Sequence, residues 1–218
     1  MDTFLFMPEA LQSEFLQYNM RSCKLIKACL SGCLLLTDIH SSGCKVITTA
    51  SERNWPLLRS LGAEGVFDYK DPLCAKKIRD YTSDRLTLAL DCISELDSPK
   101  ICEEAISSQG GIITYLLGSA QHSRKDVEKK HTSGYTVFGE AFDKLGSHVP
   151  AKPEDFEHAK MFWQLSEDLL RDGKLKPHPI EVGEKGLVGV FDGLQRMRDG
   201  KVSGVKLVYR IEDTPATV

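Results

Sequence analysis

From residue 45 onward, β-branched runs and helix-period runs take turns along the chain, and this alternation constrains the fold more than any other feature. Val46, Ile47, Thr48 and Thr49 form a β-branched run. Ser51 then stands where a helix N-cap stands, ahead of Trp55, Leu57, Leu58 and Leu61. Gly62 sits where a helix end takes a left-handed residue. Residues 65–69 (GVFDY) read as a short strand closed by Tyr69. Asp71 and Pro72 open the next helix, with Leu73, Ala75, Ile78 and Tyr81 on a helical period. Residues 86–93 are nearly continuous apolar sequence, as in a strand covered on both faces. Ser98 and Pro99 start a helix through Ile106, Gly110 and Gly111 end it, and residues 112–117 form the next buried strand. Strands separated by helices of about ten residues imply right-handed crossovers and a parallel sheet. The predicted fold is α/β, a doubly wound parallel sheet.

Beyond that sheet the signals are more varied. Residues 121–133 are polar and basic and read as a surface loop, and residues 150–153 read as a linker. Residues 154–172 carry Phe156, Ala159, Phe162, Trp163, Leu169 and Leu170 near one stripe, an amphipathic helix stopped by Gly173. The tail gives a strand over 179–182, a helix over 187–197 and a strand over 205–211. The first forty residues break the rhythm: residues 4–20 suit a helix, Leu34, Leu35 and Leu36 suit a strand or a helix end, and no other element emerges. The expected division is an atypical N-terminal segment at 1–41, a cofactor-binding domain at 42–150 and a C-terminal helix and αβ segment at 151–218.

Composition removes several classes of function. A chain of 218 residues, 41% hydrophobic and 27% charged, has enough apolar sequence for a packed core. Its formal net charge of −3 provides no basic field to recruit nucleic acid or an anionic membrane. The longest apolar stretch, residues 30–36, is far short of the ~20 residues of a membrane span. Asp2, Glu9 and Glu14 interrupt the basic region that a secretory signal requires, so a cytoplasmic location is expected. Seven cysteines form no C-x-x-C pair, and Cys23, Cys29 and Cys33 lack a suitably placed fourth ligand. The expected metal content is none.

A doubly wound sheet binds ligands beyond the carboxyl ends of its strands. After residues 46–49, an NAD site would place an acidic residue for the ribose hydroxyls. Here the strand runs into Ala50 and Ser51, with Arg53 close behind, and a hydroxyl with a guanidinium suits a 2′-phosphate. In the competing reading Ser51 only caps its helix and Arg53 is solvated, while Glu52 opposes an anion electrostatically.

The run VITTASERNWPLLRSLGAEGVFDYKDP at 46–72 resembles the cofactor domain of the medium-chain dehydrogenase/reductase superfamily. Within it, LALDCI at 88–93, YTVFGE at 135–140 and GKVSGVKLVYRI at 200–211 are most similar to the fungal trans-acting enoyl reductases of polyketide biosynthesis. The resemblance covers roughly residues 42–212. It implies a Rossmann-like cofactor domain in which Ser51, Glu52, Arg53 and Asn54 surround the adenosine 2′-phosphate of NADP(H) and Tyr69 packs near the adenine. It also places Leu116 and Leu117 beside the nicotinamide half, with Ser203, Gly204 and Val205 closing the cofactor site. Thr136, Val137, Phe138, Gly139 and Glu140 would line the acyl pocket. Each of these residues also has a purely structural reading, as strand end, core or turn.

The same resemblance implies an N-terminal catalytic domain and a glycine-rich phosphate loop. Before Val46 the only glycines are Gly32 and Gly43, so the sequence reads as N-terminally truncated. Val205 stands where an acidic residue is expected. The implied activity is NADPH-dependent reduction of an α,β-unsaturated acyl chain held by a polyketide synthase acyl carrier, by a monomer, with the catalytic residue unassigned. Two other functions stay open: a non-catalytic remnant that binds a partner protein, and a generic quinone or alcohol oxidoreductase.

Overall fold

The computed structural model describes residues 24–28 and 45–216. Six strands form one wholly parallel sheet: β1 (Lys24–Ala28), β2 (Lys45–Thr49), β3 (Gly65–Phe67), β4 (Leu88–Asp91), β5 (Gly111–Tyr115) and β6 (Val127–His131). Their spatial order is β3-β2-β1-β4-β5-β6, the doubly wound order, which reverses direction at β1. The predicted fold class holds.

Two elements of this sheet are additions to the sequence reading. β1 falls in the segment to which no element was assigned, yet it lies between β2 and β4 and pairs with both. β6 falls in the stretch expected to be a surface loop, and it pairs with β5 from Gly111 opposite Val127 to Tyr115 opposite His131. The helix expected over 4–20, the element expected at Leu34, Leu35 and Leu36, and Cys23, Cys29 and Cys33 all lie outside the described residues.

Alternation along the strands sends side chains to two cores. Val46, Leu88 and Leu90 face one side, with Ala50, Leu58, Ala63, Val66 and Phe162 packed on them. Ile47, Ala89, Ile113 and Tyr115 face the other, covered by Ile78, Cys102, Ala105 and Ile106. The first layer takes Leu58 from helix α1 (Trp55–Ser60), and the second uses α2 (Cys74–Tyr81) and α3 (Ser98–Ala105). Burial on both faces explains why 86–93 reads as unbroken apolar sequence.

Helix α4 (Pro153–Arg171) supplies Phe162 to the first core. Its buried line is narrower than the predicted stripe: Ala159 and Phe162 are buried, whereas Phe156, Trp163 and Leu170 are each more than two-fifths exposed. A three-residue step keeps Ala159 and Phe162 on one line, and Trp163 falls about 100° beyond it. A short antiparallel hairpin, β7 (Phe142–Lys144) and β8 (Ser147–Val149), precedes this helix.

Both edges of the large sheet are blunt. β3 is three residues long, and β6 carries Glu128, Lys129 and Lys130 after a single buried valine.

The chain divides into two compact units, 1–176 and 177–218. In the second unit, β9 (Ile180–Gly183), α5 (Gly186–Arg198) and β10 (Lys206–Tyr209) form a βαβ unit with parallel strands. Gly186, Gly189 and Gly193 form the buried stripe of α5. A Cβ at Gly189 would meet the Tyr209 ring at 3.0 Å, so the stripe lets this ring lie close against the helix backbone. Among the described residues no helix is long and apolar enough to cross a membrane.

Candidate functional site

The carboxyl ends of β2 and β3 form one corner of the sheet. Ala50 N–H donates to the Phe67 carbonyl at 2.8 Å, so the two strands stay in register to their last residues. β3 stops at Phe67 rather than at Tyr69, because Asp68 turns the chain and its carboxylate accepts the Lys70 N–H at 3.0 Å.

Beyond β2, Ser51 precedes a single 3₁₀ turn, Glu52–Asn54, that leads into α1. The Ser51 side chain makes no capping bond there. Instead its Oγ lies 3.4 Å from the Tyr69 hydroxyl. The corner therefore brings together two residues 18 apart that the resemblance assigned to the same ligand. Arg53 and Glu52 are exposed, Asn54 is buried beneath them, and among the described residues Arg53 forms no ion pair. Lys70 Nζ stands 5.8 Å from the Tyr69 ring and adds a second cation.

The ends of β4 and β5 are built differently. Asp91 ends β4 with a fully buried carboxylate. Its Oδ1 accepts N–H bonds from Ile93 at 3.0 Å and Ser94 at 2.8 Å, and the Ser98 hydroxyl lies within 2.9 Å of both oxygens. Burial raises the Asp91 pKa, and the bonds from Ser94, Ser98 and Ile93 only partly oppose it. Ser94, also buried, has a φ of +60°. Its hydroxyl donates to the Asp91 carbonyl at 2.8 Å and accepts the Leu116 N–H at 2.9 Å and the Leu117 N–H at 3.3 Å.

Leu116 is partly buried against the first core, and Leu117 is 40% exposed. His131, at the end of β6, stands on the other side of this turn, with its ring 3.7 Å from where a Cβ at Gly118 would lie. Partial desolvation of the ring lowers the His131 pKa, helped by Lys129, Lys144 and Lys152. Below this turn, the buried Tyr115 hydroxyl lies 3.1 Å from His122 Nδ1, and His122 Nε2 lies 2.9 Å from the Val127 carbonyl. A carbonyl can only accept, so Nε2 carries the hydrogen and, in the neutral ring, Nδ1 accepts from Tyr115. Burial first, then Cys102, Asp91 and Glu103, push the Tyr115 pKa well above its usual value.

The residues assigned to the acyl pocket form a separate surface segment. Thr136, Val137 and Phe138 lie in a 3₁₀ helix, Gly134–Phe138, ended by Gly139 at a φ of +73°. Phe138 is 70% exposed and Glu140 is exposed. The Thr136 hydroxyl is held by the Ser133 carbonyl at 2.9 Å. A Cβ at Gly139 would meet Phe156 Cβ at 2.8 Å, so this segment approaches α4 as closely as glycine allows. Ser203, Gly204 and Val205 lie in the second unit, in the bend that leads to β10, with Gly204 at a φ of +72°.

Sequence reasoning passed over Asp91 and Ser94. The available signal was an aspartate closing an apolar strand with a serine three positions on, a spacing that favours side-chain bonds to the following backbone. Among the described residues, no three His, Cys, Asp or Glu side chains gather as metal ligands would.

The chain is 48% identical over 173 residues to the dual trans-enoyl reductase/FAD-dependent monooxygenase tazHJ of Aspergillus terreus, a match covering 78% of this chain and 25% of that protein. It is 43% identical over 182 residues to the trans-enoyl reductase ACTTS2 of Alternaria alternata, covering 84% and 52%. By sequence the chain is similar to a part of the fungal trans-enoyl reductases. A further relative is lovC of Aspergillus terreus, the enoyl reductase component of lovastatin nonaketide synthase, at 37% identity over 80% of this chain and 49% of that protein. The chain spans a quarter of tazHJ and about half of ACTTS2 and lovC. No family model matches it.

Among solved structures, the CurF ER cyclopropanase of the curacin A pathway superposes with a TM-score of 0.64 at 15% identity, over 92% of this chain and 60% of that one. A quinone oxidoreductase of Pseudomonas syringae gives 0.63 at 16% identity, over 95% and 66%. These likenesses establish the fold of the medium-chain dehydrogenases/reductases.

Proposed function

We propose that this chain is an NADPH-dependent enoyl reductase that acts in trans on the unsaturated acyl chain carried by a polyketide synthase. The observation that carries the cofactor choice is the corner beyond β2. There Arg53, exposed and without an ion-pair partner among the described residues, stands two positions after Ser51, whose hydroxyl lies 3.4 Å from that of Tyr69. An adenosine 2′-phosphate is the anion whose charge and acceptor oxygens such a set satisfies. The neighbouring Glu52 is exposed, free to turn toward solvent.

In this reading Ser51, Arg53 and Asn54 hold the phosphate, and Tyr69 lies against the adenine. Leu116 and Leu117 support the nicotinamide half. Bound NADPH supplies a hydride to the β-carbon of an α,β-unsaturated thioester, and a proton at the α-carbon completes reduction of the double bond. The chain's own contribution is orientation and electrostatics, with residues 136–140 lining the acyl pocket. The names of the relatives support the reaction and the synthase partner: two are trans-enoyl reductases by name, and lovC is a synthase's enoyl reductase component.

Calorimetric titration tests the reading. NADPH binds saturably, and Arg53→Ala weakens it by about ten- to a hundredfold while NADH binds as before, the loss expected for one or two charge-assisted bonds. Equal losses for both cofactors would make Arg53 structural and remove the NADP assignment. An intact chain that gives no saturable heat with NADPH would favour the partner-binding module over the enzyme.

A further inference from the structure

We infer that Asp91 and Ser94 act as a positioning pair that sets the turn at Leu116 and Leu117, and through it the placement of the nicotinamide half of the cofactor. The inference rests on the cofactor reading above but concerns residues to which that reading gives no role.

The argument begins where the sheet's own hydrogen bonding runs out. β5 ends at Tyr115; the Leu116 N–H still reaches the Asp91 carbonyl across the sheet, at 3.3 Å, whereas the Leu117 N–H has left the ladder and needs another acceptor. Both find the same atom, Ser94 Oγ, which lies 22 and 23 residues earlier in the chain. That hydroxyl is fully used: it donates once, to the Asp91 carbonyl, and accepts twice. A serine side chain thus continues the β4–β5 pairing beyond its last backbone rung.

Ser94 reaches this place only because its backbone is left-handed, a conformation that a residue with a Cβ adopts at a cost. Asp91 supplies the compensation. Its Oδ1 accepts the N–H groups of Ile93 and Ser94, which folds the chain back over the carboxylate, and Ser98 fixes both oxygens. Asp91 and Ser94 are 0% and 2% exposed, so water does not compete for these bonds. The turn is therefore held from the β4 side, and the His131 ring of β6 stands against Gly118 on the other. Its geometry is imposed by neighbours rather than by its own sequence of leucines and glycine.

The consequence is a split between the two halves of the cofactor. Loss of the Ser94 hydroxyl frees the Leu117 amide and leaves the Leu116 amide only its longer bond to the Asp91 carbonyl, without touching Ser51, Arg53 or Tyr69. The test is Ser94→Ala in the full chain, titrated with NADPH and with adenosine 2′,5′-bisphosphate, which carries only the adenine half. NADPH is expected to weaken about tenfold and the bisphosphate by less than about twofold. In parallel, hydrogen exchange at Leu116 and Leu117 should accelerate about five- to tenfold, with the amides within β5 unchanged. Ser94→Gly, in which the left-handed backbone is unstrained, repeats the measurement without the hydroxyl. Equal weakening of both ligands, or unchanged NADPH affinity with unchanged exchange, would overturn the positioning role. If the unaltered chain binds neither ligand, the cofactor reading falls and the positioning role with it. If it binds both and only the exchange responds in the variants, the tie exists but positions nothing for the cofactor.

Discussion

The β2–β3 corner and the β4–β5 end sit on the same rim of the sheet and are built on opposite principles. At the first, Ser51 and Tyr69 meet through one long contact of 3.4 Å, and Arg53 is exposed without an ion pair among the described residues. At the second, a buried carboxylate and a buried hydroxyl are fully engaged with backbone amides from two strands. Polar groups left open at a rim are available to a ligand, whereas polar groups closed on each other fix the shape that the ligand meets. The contrast predicts that substitutions in the two regions separate into losses of binding and losses of stability.

The sharpest form of that prediction is Asp91→Ala. It strands the Ser94 N–H in a buried place, leaves the partly buried Ile93 N–H without its acceptor, and should destabilise the chain by about 2–3 kcal/mol, read from urea unfolding. Asp91→Asn keeps an acceptor oxygen for these amides and removes the buried charge. Because the Asp91 pKa is raised in the folded chain, ionisation works against folding, and this contribution worsens as pH rises through the unfolded value near 4. The asparagine variant should therefore be at least as stable as the parent at pH 7. An asparagine variant as unstable as the alanine one would break the argument.

Tyr115→Phe comes next. Loss of its hydroxyl leaves His122 Nδ1 without its donor, at about 1 kcal/mol by the same unfolding measurement. Asp84 provides a contrast in sign. Its pKa is lowered by the Ser108 hydroxyl and then by the Ser108 N–H, so its contribution is present above the unfolded value near 4 and disappears as pH falls through the folded value. Asp84→Asn should accordingly flatten the acid side of a stability-against-pH curve. The smallest effect belongs to the open corner: Arg53→Ala should change unfolding free energy by less than about 0.5 kcal/mol while altering NADPH affinity. A destabilised Arg53 variant would erase the distinction between the two regions.

How much of this was legible in the sequence follows from the same physics. Strands buried on both faces announce themselves, as residues 88–91 and 111–115 do, because nearly every position is apolar, Asp91 and Thr114 apart. β6 is a different case: VEKKH contains one apolar residue in five and reads as loop, since an edge strand draws its pairing from β5 and leaves its charges to water. β1, with the sequence KLIKA, is too short between its lysines for a period to register, and the partners that define it lie 21 and 63 positions further on. Ser51 and Arg53 could be proposed from sequence, because ligands bind at strand ends and the chemistry of these two side chains is visible one residue at a time. The Asp91–Ser94 pair was not, because its meaning lies in a left-handed backbone and in amides 22 residues away.

The blunt edges of the six-stranded sheet have a consequence for how the chain meets other molecules. A three-residue strand at one margin and a charged strand at the other give an incoming segment no backbone to extend, so this sheet cannot recruit a partner by adding a strand. Recognition at this sheet is then written in side chains, which single surface substitutions can alter while the underlying architecture stays fixed.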